Sequence, residues 1–127
     1  EGSDITIITW SKNVFLALEA AKALEEENIS AEVIDLRTLR PLDEEAVLNS
    51  VAKTHRVLIL QEQHQVASYG AWLSFLIQDK IFDELDAPIG LISTEEVPMP
   101  YSKALEPYIL PTKEKCIREA KKVLGLA

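Results

Sequence analysis

The feature that most constrains the fold is an alternation of short, almost wholly apolar segments with longer segments of helical periodicity. Residues 5–9 form a β-rich run, Ile-Thr-Ile-Ile-Thr, and the apolar residues between positions 14 and 24 then recur at helical spacing. The same unit recurs three times along the chain. It predicts strands at residues 32–36, 57–61 and 89–93, each followed by a helix, at residues 43–53, 69–85 and 112–124.

Strands that are apolar along their whole length predict a parallel sheet with helices on both faces, because a sheet covered on one side alternates apolar and polar residues. We therefore predict an α/β fold of three layers, α/β/α, around a mostly parallel sheet. Ligands and partners of such a sheet bind at the carboxyl ends of its strands. Function is to be sought at residues 9–11, 36–42, 61–70 and 93–101.

Length and composition restrict the number of domains and the class of partner. A chain of 127 residues with 47% apolar content buries one substantial core, but it is too short for two ordinary domains. We predict a single domain, residues 1–127, that is part of a longer subunit, because Glu1-Gly2-Ser3-Asp4 is typical of a turn leading directly into a buried strand. The net charge of −8 disfavours nucleic-acid binding, and no apolar run reaches the length of a membrane span.

Several kinds of site common in this architecture find no support in the sequence. The turn after the first strand contains no glycine, and the chain carries neither a dinucleotide fingerprint nor a P-loop. A phospho-receiver needs clustered aspartates at its strand ends, whereas the third strand ends in Gln61 and Glu62. Cys116 is the only cysteine, so neither an internal disulfide nor a cysteine-based zinc site is expected.

Helix ends carry recognisable signals. Ser11 is predicted to cap the first helix, Asp43 opens the second with acidic residues at its positive end, and Gly125 ends the last one. Three aromatic residues are predicted to belong to the core rather than to a ligand platform, namely Trp10, Trp72 and Tyr108.

The loop after the third strand holds the residues most suggestive of chemistry. Glu62 and His64 lie two positions apart, and a carboxylate beside an imidazole can transfer a proton or bind a metal. An interface or supporting role and a solvated loop remain alternatives. Tyr69 and Gly70 then open the third helix, where a small residue permits either close approach of a ligand or close helix–sheet packing.

Two further segments at the predicted carboxyl edge suggest contacts with other chains. Arg37 and Arg40 follow the second strand, and their guanidinium groups can pair with carboxylates of a partner. A solvated charged loop is the alternative. The segment Val97-Pro98-Met99-Pro100-Tyr101 is stiff and apolar, because two prolines fix the backbone. It either closes the core or docks on a partner.

Three strings of residues carry a specific resemblance. They are Ala31-Glu32-Val33-Ile34-Asp35-Leu36-Arg37-Thr38-Leu39-Arg40-Pro41-Leu42-Asp43, then Leu85-Asp86-Ala87-Pro88-Ile89, then the proline-rich Val97-Pro98-Met99-Pro100-Tyr101. In this order and spacing they resemble the C-terminal domain of beta subunits of thiamine-diphosphate-dependent 2-oxo-acid dehydrogenases, pyruvate dehydrogenase in particular. The similarity covers nearly the whole chain.

The resemblance implies a transketolase C-terminal-domain-like fold, in which an antiparallel edge strand normally precedes the turn at Glu1. That strand is expected to be missing here. The resemblance also implies that the diphosphate of thiamine diphosphate and its Mg²⁺ are held by the alpha subunit, and that the carboxylate activating the aminopyrimidine comes from the N-terminal domain of the beta subunit. No catalytic, cofactor-binding or metal-binding residue is therefore expected in this chain, and the domain alone is expected to be inactive.

The partners that the resemblance implies are the alpha subunit or an alpha-like region, a second beta subunit and the subunit-binding domain of a dihydrolipoyl acyltransferase. The compartment implied is the bacterial cytoplasm or, in a eukaryote, the mitochondrial matrix or plastid. Interface or supporting roles are then expected for Arg37, Arg40, Glu62, His64, Tyr69, Gly70, Pro98, Met99, Pro100 and Tyr101.

One region differs from the family pattern. Related subunits commonly carry Glu-Glu-Gly-aromatic followed by Gly-x-Gly-(Ala/Ser)-Glu, whereas this chain has Gln61-Glu62-Gln63-His64 followed by Ser68-Tyr69-Gly70-Ala71-Trp72. Two alternatives therefore stay open. One is the C-terminal half of a transketolase-like enzyme, and the other is a non-enzymatic interaction module of flavodoxin-like architecture.

Overall fold

The computed structural model describes residues 1–126, so the last residue of the predicted domain, Ala127, lies outside the described residues. Strands and helices alternate along the chain, as the apolar periodicity predicts. A single turn of 3₁₀-helix, Phe82–Glu84, follows the third helix. The elements in chain order are β1 (Ile5–Thr9), α1 (Asn13–Glu25), β2 (Ala31–Asp35), α2 (Glu44–Thr54), β3 (Val57–Leu60), α3 (Tyr69–Ile81), β4 (Gly90–Ile92), α4 (Glu106–Ile109) and α5 (Lys113–Val123).

The strands form one sheet in the order β2-β1-β3-β4, with every pairing parallel. Ile7 at the centre of β1 lies between Val33 of β2 and Leu58 of β3. The chain moves outward from β1 to β2 and then crosses back to β3, so the strand order reverses between β1 and β3. A crevice forms at the carboxyl ends of the strands where such a reversal occurs.

Two apolar clusters cover the two faces of the sheet, and this confirms the three-layer α/β/α prediction. On one face Ile5, Ile7 and Leu58 pack against α1 and α5, and on the other Ile8 and Ile59 pack against α2 and α3. The central strands β1 and β3 are buried along their whole length, since helices cover both of their faces. This is why their sequences do not alternate between apolar and polar residues.

Thr6, one of the two buried threonines of β1, is accommodated by hydroxyl groups of α2. Thr6 Oγ1 lies 2.8 Å from Ser50 Oγ and 2.7 Å from Thr54 Oγ1, so each hydroxyl has a partner inside the core. A buried hydroxyl without a partner would cost about 1–3 kcal/mol. The pairing therefore fixes α2 against the sheet as well as satisfying the polar atoms.

Most of the predicted helix ends are confirmed. Asp43 Oδ1 accepts a hydrogen bond of 3.0 Å from Ala46 N–H at the start of α2. Gly125 follows α5 with φ of 73° and donates to Lys122 O over 3.0 Å. The prediction for Ser11 is wrong, because α1 begins at Asn13 and no side chain caps it. Ser11 instead has φ of 58° and precedes the cap position by one residue.

The third helix is shorter than predicted, ending at Ile81 rather than at residue 85. Asp86 N–H donates to His55 O over 2.9 Å, and this bond draws the chain toward the end of α2. Leu85 then packs against the cluster beneath α2 and α3. Ile81 and Leu85 thus continue the helical pattern in sequence, but Leu85 reaches the core through a turn.

The prediction that the large aromatic residues belong to the core is wrong for two of them. Trp72 is 44% exposed and Tyr108 is 74% exposed, whereas Trp10 is partly buried. Trp72 lies outside the buried stripe of α3, which contains Gly70, Leu73 and Ile77. Tyr108 lies on α4, a short helix that the sequence did not predict.

Within residues 1–126, none of the helices combines the length and the apolar character required to cross a membrane.

Candidate functional site

The loops that follow the four strands meet at the carboxyl edge of the sheet, because all strands run in the same direction. The predicted site residues lie on these loops or in the first turn of α3. They do not form a single cluster. The structure distributes them over a buried hydrogen-bond network, an aromatic group, two clefts and an exposed arginine loop.

A buried glutamine organises the loop between β3 and α3. Gln61 Nε2 donates to Ser68 Oγ over 2.8 Å and to Ser93 Oγ over 3.0 Å, while Gln61 Oε1 accepts from Gly70 N–H over 2.9 Å. Ser68 Oγ in turn accepts from Ala71 N–H and caps α3. The side chain of Gln61 is fully buried, so these bonds replace its contact with water.

Close packing between α3 and the sheet requires glycine at position 70. A Cβ atom at this position would lie 2.5 Å from Gln61 Oε1 and 2.9 Å from Leu91 Cδ1. Close approach of α3 to the sheet therefore accounts for this residue, and Gly70 is buried rather than open to a ligand.

An aromatic group connects three of the four loops. The ring of Tyr69 packs edge-on against Trp10, with centroids 5.4 Å apart, and against Trp72 at 5.2 Å. Tyr69 Oη donates to Leu39 O over 2.9 Å, which ties the loop after β2 to α3. Burial, and secondarily the negative charge of Glu44, raises the pKa of Tyr69 above its ordinary value, so the phenol stays protonated and keeps donating.

The first cleft lies between the loops after β1 and β3, where the strand order reverses. We call it the β1–β3 cleft, and its volume is about 310 Å³. Lys12 Nζ and Glu62 Oε2 form an ion pair of 2.8 Å across it. Glu62 is thus paired with a lysine rather than with His64. The cleft is lined by Trp10, Ser11, Lys12, Asn13, Glu62 and Gln63.

The second cleft is larger and mostly apolar, with a volume of about 590 Å³. We call it the apolar cleft. The proline-rich segment forms one wall, and Val66 on the loop after β3 faces it; Val66 and Met99 are exposed. Tyr101, at the end of the same segment, is fully exposed. The cleft is lined by His64, Val66, Thr94, Glu96, Val97, Pro98 and Met99.

The arginines after β2 lie on the outer side of the edge. Arg37 is exposed, and its Nε lies 3.5 Å from Asp35 Oδ2. Arg40 is also exposed and precedes Pro41 through a cis peptide bond. Among residues 1–126 neither guanidinium contacts the β1–β3 cleft or the apolar cleft.

The sequence did not indicate two of the groups that shape this edge. The network around Gln61 was missed, although a glutamine directly after the apolar run of β3 was the signal. The ion pair between Lys12 and Glu62 joins residues that are 50 positions apart, and only the pairing of β1 with β3 brings them together. No group of three or more potential metal ligands converges within the described residues.

The chain resembles known proteins along nearly its whole length. A family model described as "Transketolase, C-terminal domain" matches residues 1–116. The chain is 45% identical over 123 residues to the pyruvate dehydrogenase E1 component subunit beta of Rickettsia felis. This match covers 97% of the chain and 38% of that protein. The chain therefore spans well under half the length of the curated relatives that it matches.

Two further similarities bear on function. The chain is 43% identical over 125 residues to the acetoin:2,6-dichlorophenolindophenol oxidoreductase subunit beta of Bacillus subtilis, which covers 98% of the chain and 36% of that protein. A solved structure titled "Split gene transketolase, inactive beta4 tetramer" superposes with a TM-score of 0.87 at 28% identity, over 99% of the chain and 41% of that structure.

Proposed function

Because this chain belongs to the family of transketolase C-terminal domains, we propose that it is the C-terminal domain of the beta subunit of a thiamine-diphosphate-dependent 2-oxo-acid dehydrogenase. The observation that carries the proposal is the 45% identity to a pyruvate dehydrogenase beta subunit over 97% of the chain. The complete enzyme would be an oxidoreductase that decarboxylates pyruvate or a related 2-oxo acid and transfers the acyl group to a lipoyl acceptor. The domain contributes to assembly rather than to the chemical step.

The apolar cleft supports the assembly role. Large apolar side chains exposed side by side are typical of surfaces that bind another protein, and here Val66, Met99 and Tyr101 are all exposed at one edge of the sheet. Pro98 and Pro100 stiffen the segment, so little conformational entropy is lost when it docks. We propose that this surface contacts the alpha subunit or the second beta subunit, with His64 at its margin.

The charge of the chain supports a further partner. Its net charge of −8 favours association with a basic surface, and the subunit-binding domain of a dihydrolipoyl acyltransferase is the partner that the resemblance suggests. Arg37 and Arg40 are exposed and carry the opposite sign. Their guanidinium groups can instead pair with carboxylates of a neighbouring subunit.

The cofactor expected of the complete enzyme is thiamine diphosphate with Mg²⁺, which would supply the carbanion chemistry of decarboxylation. Its diphosphate and metal need converging oxygen ligands, and the described residues offer no such group. The residues present therefore do not fit this cofactor. We assign its binding to the alpha subunit and to the N-terminal part of the beta subunit.

The proposal is tested by assembly of the beta subunit that contains this domain. Replacing Met99 and Tyr101 together by serine should weaken association with the alpha subunit, measured by light scattering after size-exclusion chromatography. Phe15→Ser, which removes another exposed apolar residue, from α1, is the matched control and should leave assembly unchanged. Unaltered assembly in the double variant would contradict the docking role.

Two alternatives differ in substrate rather than in fold. The similarity to the acetoin oxidoreductase subunit is almost as high as that to pyruvate dehydrogenase, and the split-gene transketolase has the same fold. Activity of the assembled enzyme toward pyruvate, acetoin and ketose phosphates separates these possibilities. Acyl transfer from pyruvate to a lipoyl acceptor is the result that we expect.

A further inference from the structure

The β1–β3 cleft lies where the strand order of the sheet reverses, yet the proposed assembly role makes no use of it. Its volume of about 310 Å³ corresponds to roughly ten water molecules at about 30 Å³ each. A small metabolite fits this space.

The start of α1 provides one half of a binding site. No side chain of the described residues 1–126 caps this helix, and its first turn contains no acidic residue. Asp43, Ser68 and Thr112 cap α2, α3 and α5, whereas the short helix α4 also begins without a side-chain cap within residues 1–126. Val14 N–H donates to Ser11 O over 3.2 Å, but the other N–H groups of such a first turn and its positive dipole end attract an anion.

Asn13 is the independent observation that points to a ligand. It is only 6% exposed and lines the cleft, and its side-chain amide, which makes no hydrogen bond to residues 1–126, keeps contact with solvent there. Asn13 is the first member of the buried stripe Asn13, Ala17, Ala20 and Leu24, which faces the sheet. Its amide consequently lies beneath the helix start at the carboxyl edge, where a bound molecule would reach it.

Among the residues that the structure describes, Lys12 and Glu62 are the only charged ones that line the cleft. Lys12 Nζ lies 2.8 Å from Glu62 Oε2, and the lysine is the more exposed of the two. A carboxylate or phosphate entering the cleft would compete with Glu62 for the same ammonium group. Glu62 is therefore an internal competitor, and its removal should strengthen anion binding.

From these contacts we propose that the β1–β3 cleft binds a small molecule through a carboxylate or phosphate group. The donors are the side chains of Lys12 and Asn13 and the N–H groups at the start of α1. When the cleft is empty, Glu62 pairs with Lys12. The site is independent of the assembly role, because it involves neither the apolar cleft nor residues 97–101.

The test is a titration of the 127-residue chain, followed by ¹H–¹⁵N NMR spectra, with inorganic phosphate or acetate against sodium chloride at equal ionic strength. We expect saturable shifts confined to residues 11–15 and 61–63. Tighter binding of phosphate would identify a phosphate-bearing ligand, and tighter binding of acetate a carboxylate. Shifts that are absent, or that chloride reproduces, would overturn the proposal.

Variants make the test specific. Lys12→Gln should weaken binding about tenfold, as expected for loss of a charge-assisted hydrogen bond, whereas Glu62→Gln should tighten it several-fold because the competing carboxylate is gone. Asn13→Ala should weaken binding. Lys80→Gln, which removes the same charge from an exposed position on α3, should have no effect. Binding that is equal in the Lys12 and Lys80 variants would also overturn the proposal.

Discussion

Gly70 N–H donates to Gln61 Oε1 over 2.9 Å, and a Cβ atom at position 70 would lie 2.5 Å from that same oxygen. The end of β3 and the first turn of α3 are thus fitted together at a distance that only glycine tolerates. The carboxamide cannot easily turn away, since Gln61 Nε2 is held by Ser68 and Ser93.

Gly70→Ala should lower the free energy of unfolding by about 1–3 kcal/mol, the usual cost of overpacking, as measured by urea denaturation. The loss should be smaller in a Gln61→Ala background, because the atom that the new methyl group meets is absent. The two substitutions therefore form a double-mutant cycle. Equal losses in both backgrounds would show that the contact with Gln61 does not determine this position.

Tyr69→Phe should cost about 1 kcal/mol of stability, the typical net value of a hydrogen bond, because the bond from Tyr69 Oη to Leu39 O is lost. Tyr108→Phe is the matched control, since Tyr108 is exposed on α4. It should leave the urea midpoint unchanged. If both variants behave alike, the phenol of Tyr69 does not hold the loop after β2.

The isolated chain should not bind thiamine diphosphate in the presence of Mg²⁺, because its described residues offer no converging metal ligands. Isothermal titration calorimetry provides the measurement, with the alpha–beta assembly as the positive control. Saturable heat that requires Mg²⁺ and that inorganic phosphate does not reproduce would contradict the division of labour proposed above.

The fold could be predicted because each local signal agreed with the others. The apolar runs of β1 and β3 are continuous since helices cover both of their faces, and Asp43 and Gly125 are strong end signals. The end of α3 was not predictable in the same way. Ile81 and Leu85 keep helical spacing, whereas the turn between them depends on a bond from Asp86 to His55, a residue distant in sequence.

The sequence predicted which loops form the site, but it did not predict which side chains contact one another there. The parallel sheet implied that Glu62, Tyr69 and the proline-rich segment would reach one edge. Which side chains pair there depends on strand order, which the sequence did not specify. Lys12 consequently went unnoticed, and the pairing of Glu62 with His64 was considered instead of the observed ion pair. Trp72 was wrongly assigned to the core, because the hydrophobicity of a side chain does not determine which face of α3 it lies on.

Lys53→Gln should raise the pKa of Glu32, measured by ¹³C NMR of the carboxyl group. Burial alone would raise that pKa, but hydrogen bonds from Lys53, Gly2 N–H and Ser50 outweigh it and lower the pKa below 4.5. A lowered pKa stabilises the fold above the unfolded value, and this contribution is lost as the pH falls through the folded value. The variant should therefore unfold at a higher pH during acid titration, whereas Lys80→Gln should not.

Cys116 lies fully buried in the cluster between the sheet and the helices α1 and α5. Burial disfavours the thiolate and raises the pKa of Cys116 from 9.0 to about 12. The native thiol should consequently be inert toward a disulfide reagent at neutral pH and should react once the chain unfolds.

The same pKa predicts a loss of stability in alkali. Below pH 9 the thiol is protonated in both states, and its titration contributes nothing to the pH dependence. Between pH 9 and about 12, the unfolded chain loses the proton while the native chain keeps it, so stability should fall by about 1.4 kcal/mol per pH unit from this group. Cys116→Ala should be less stable at neutral pH but should lack this component of the slope. Parallel slopes for the two proteins, measured by urea denaturation between pH 9 and 10.5, would mean that Cys116 ionises while still in the native state.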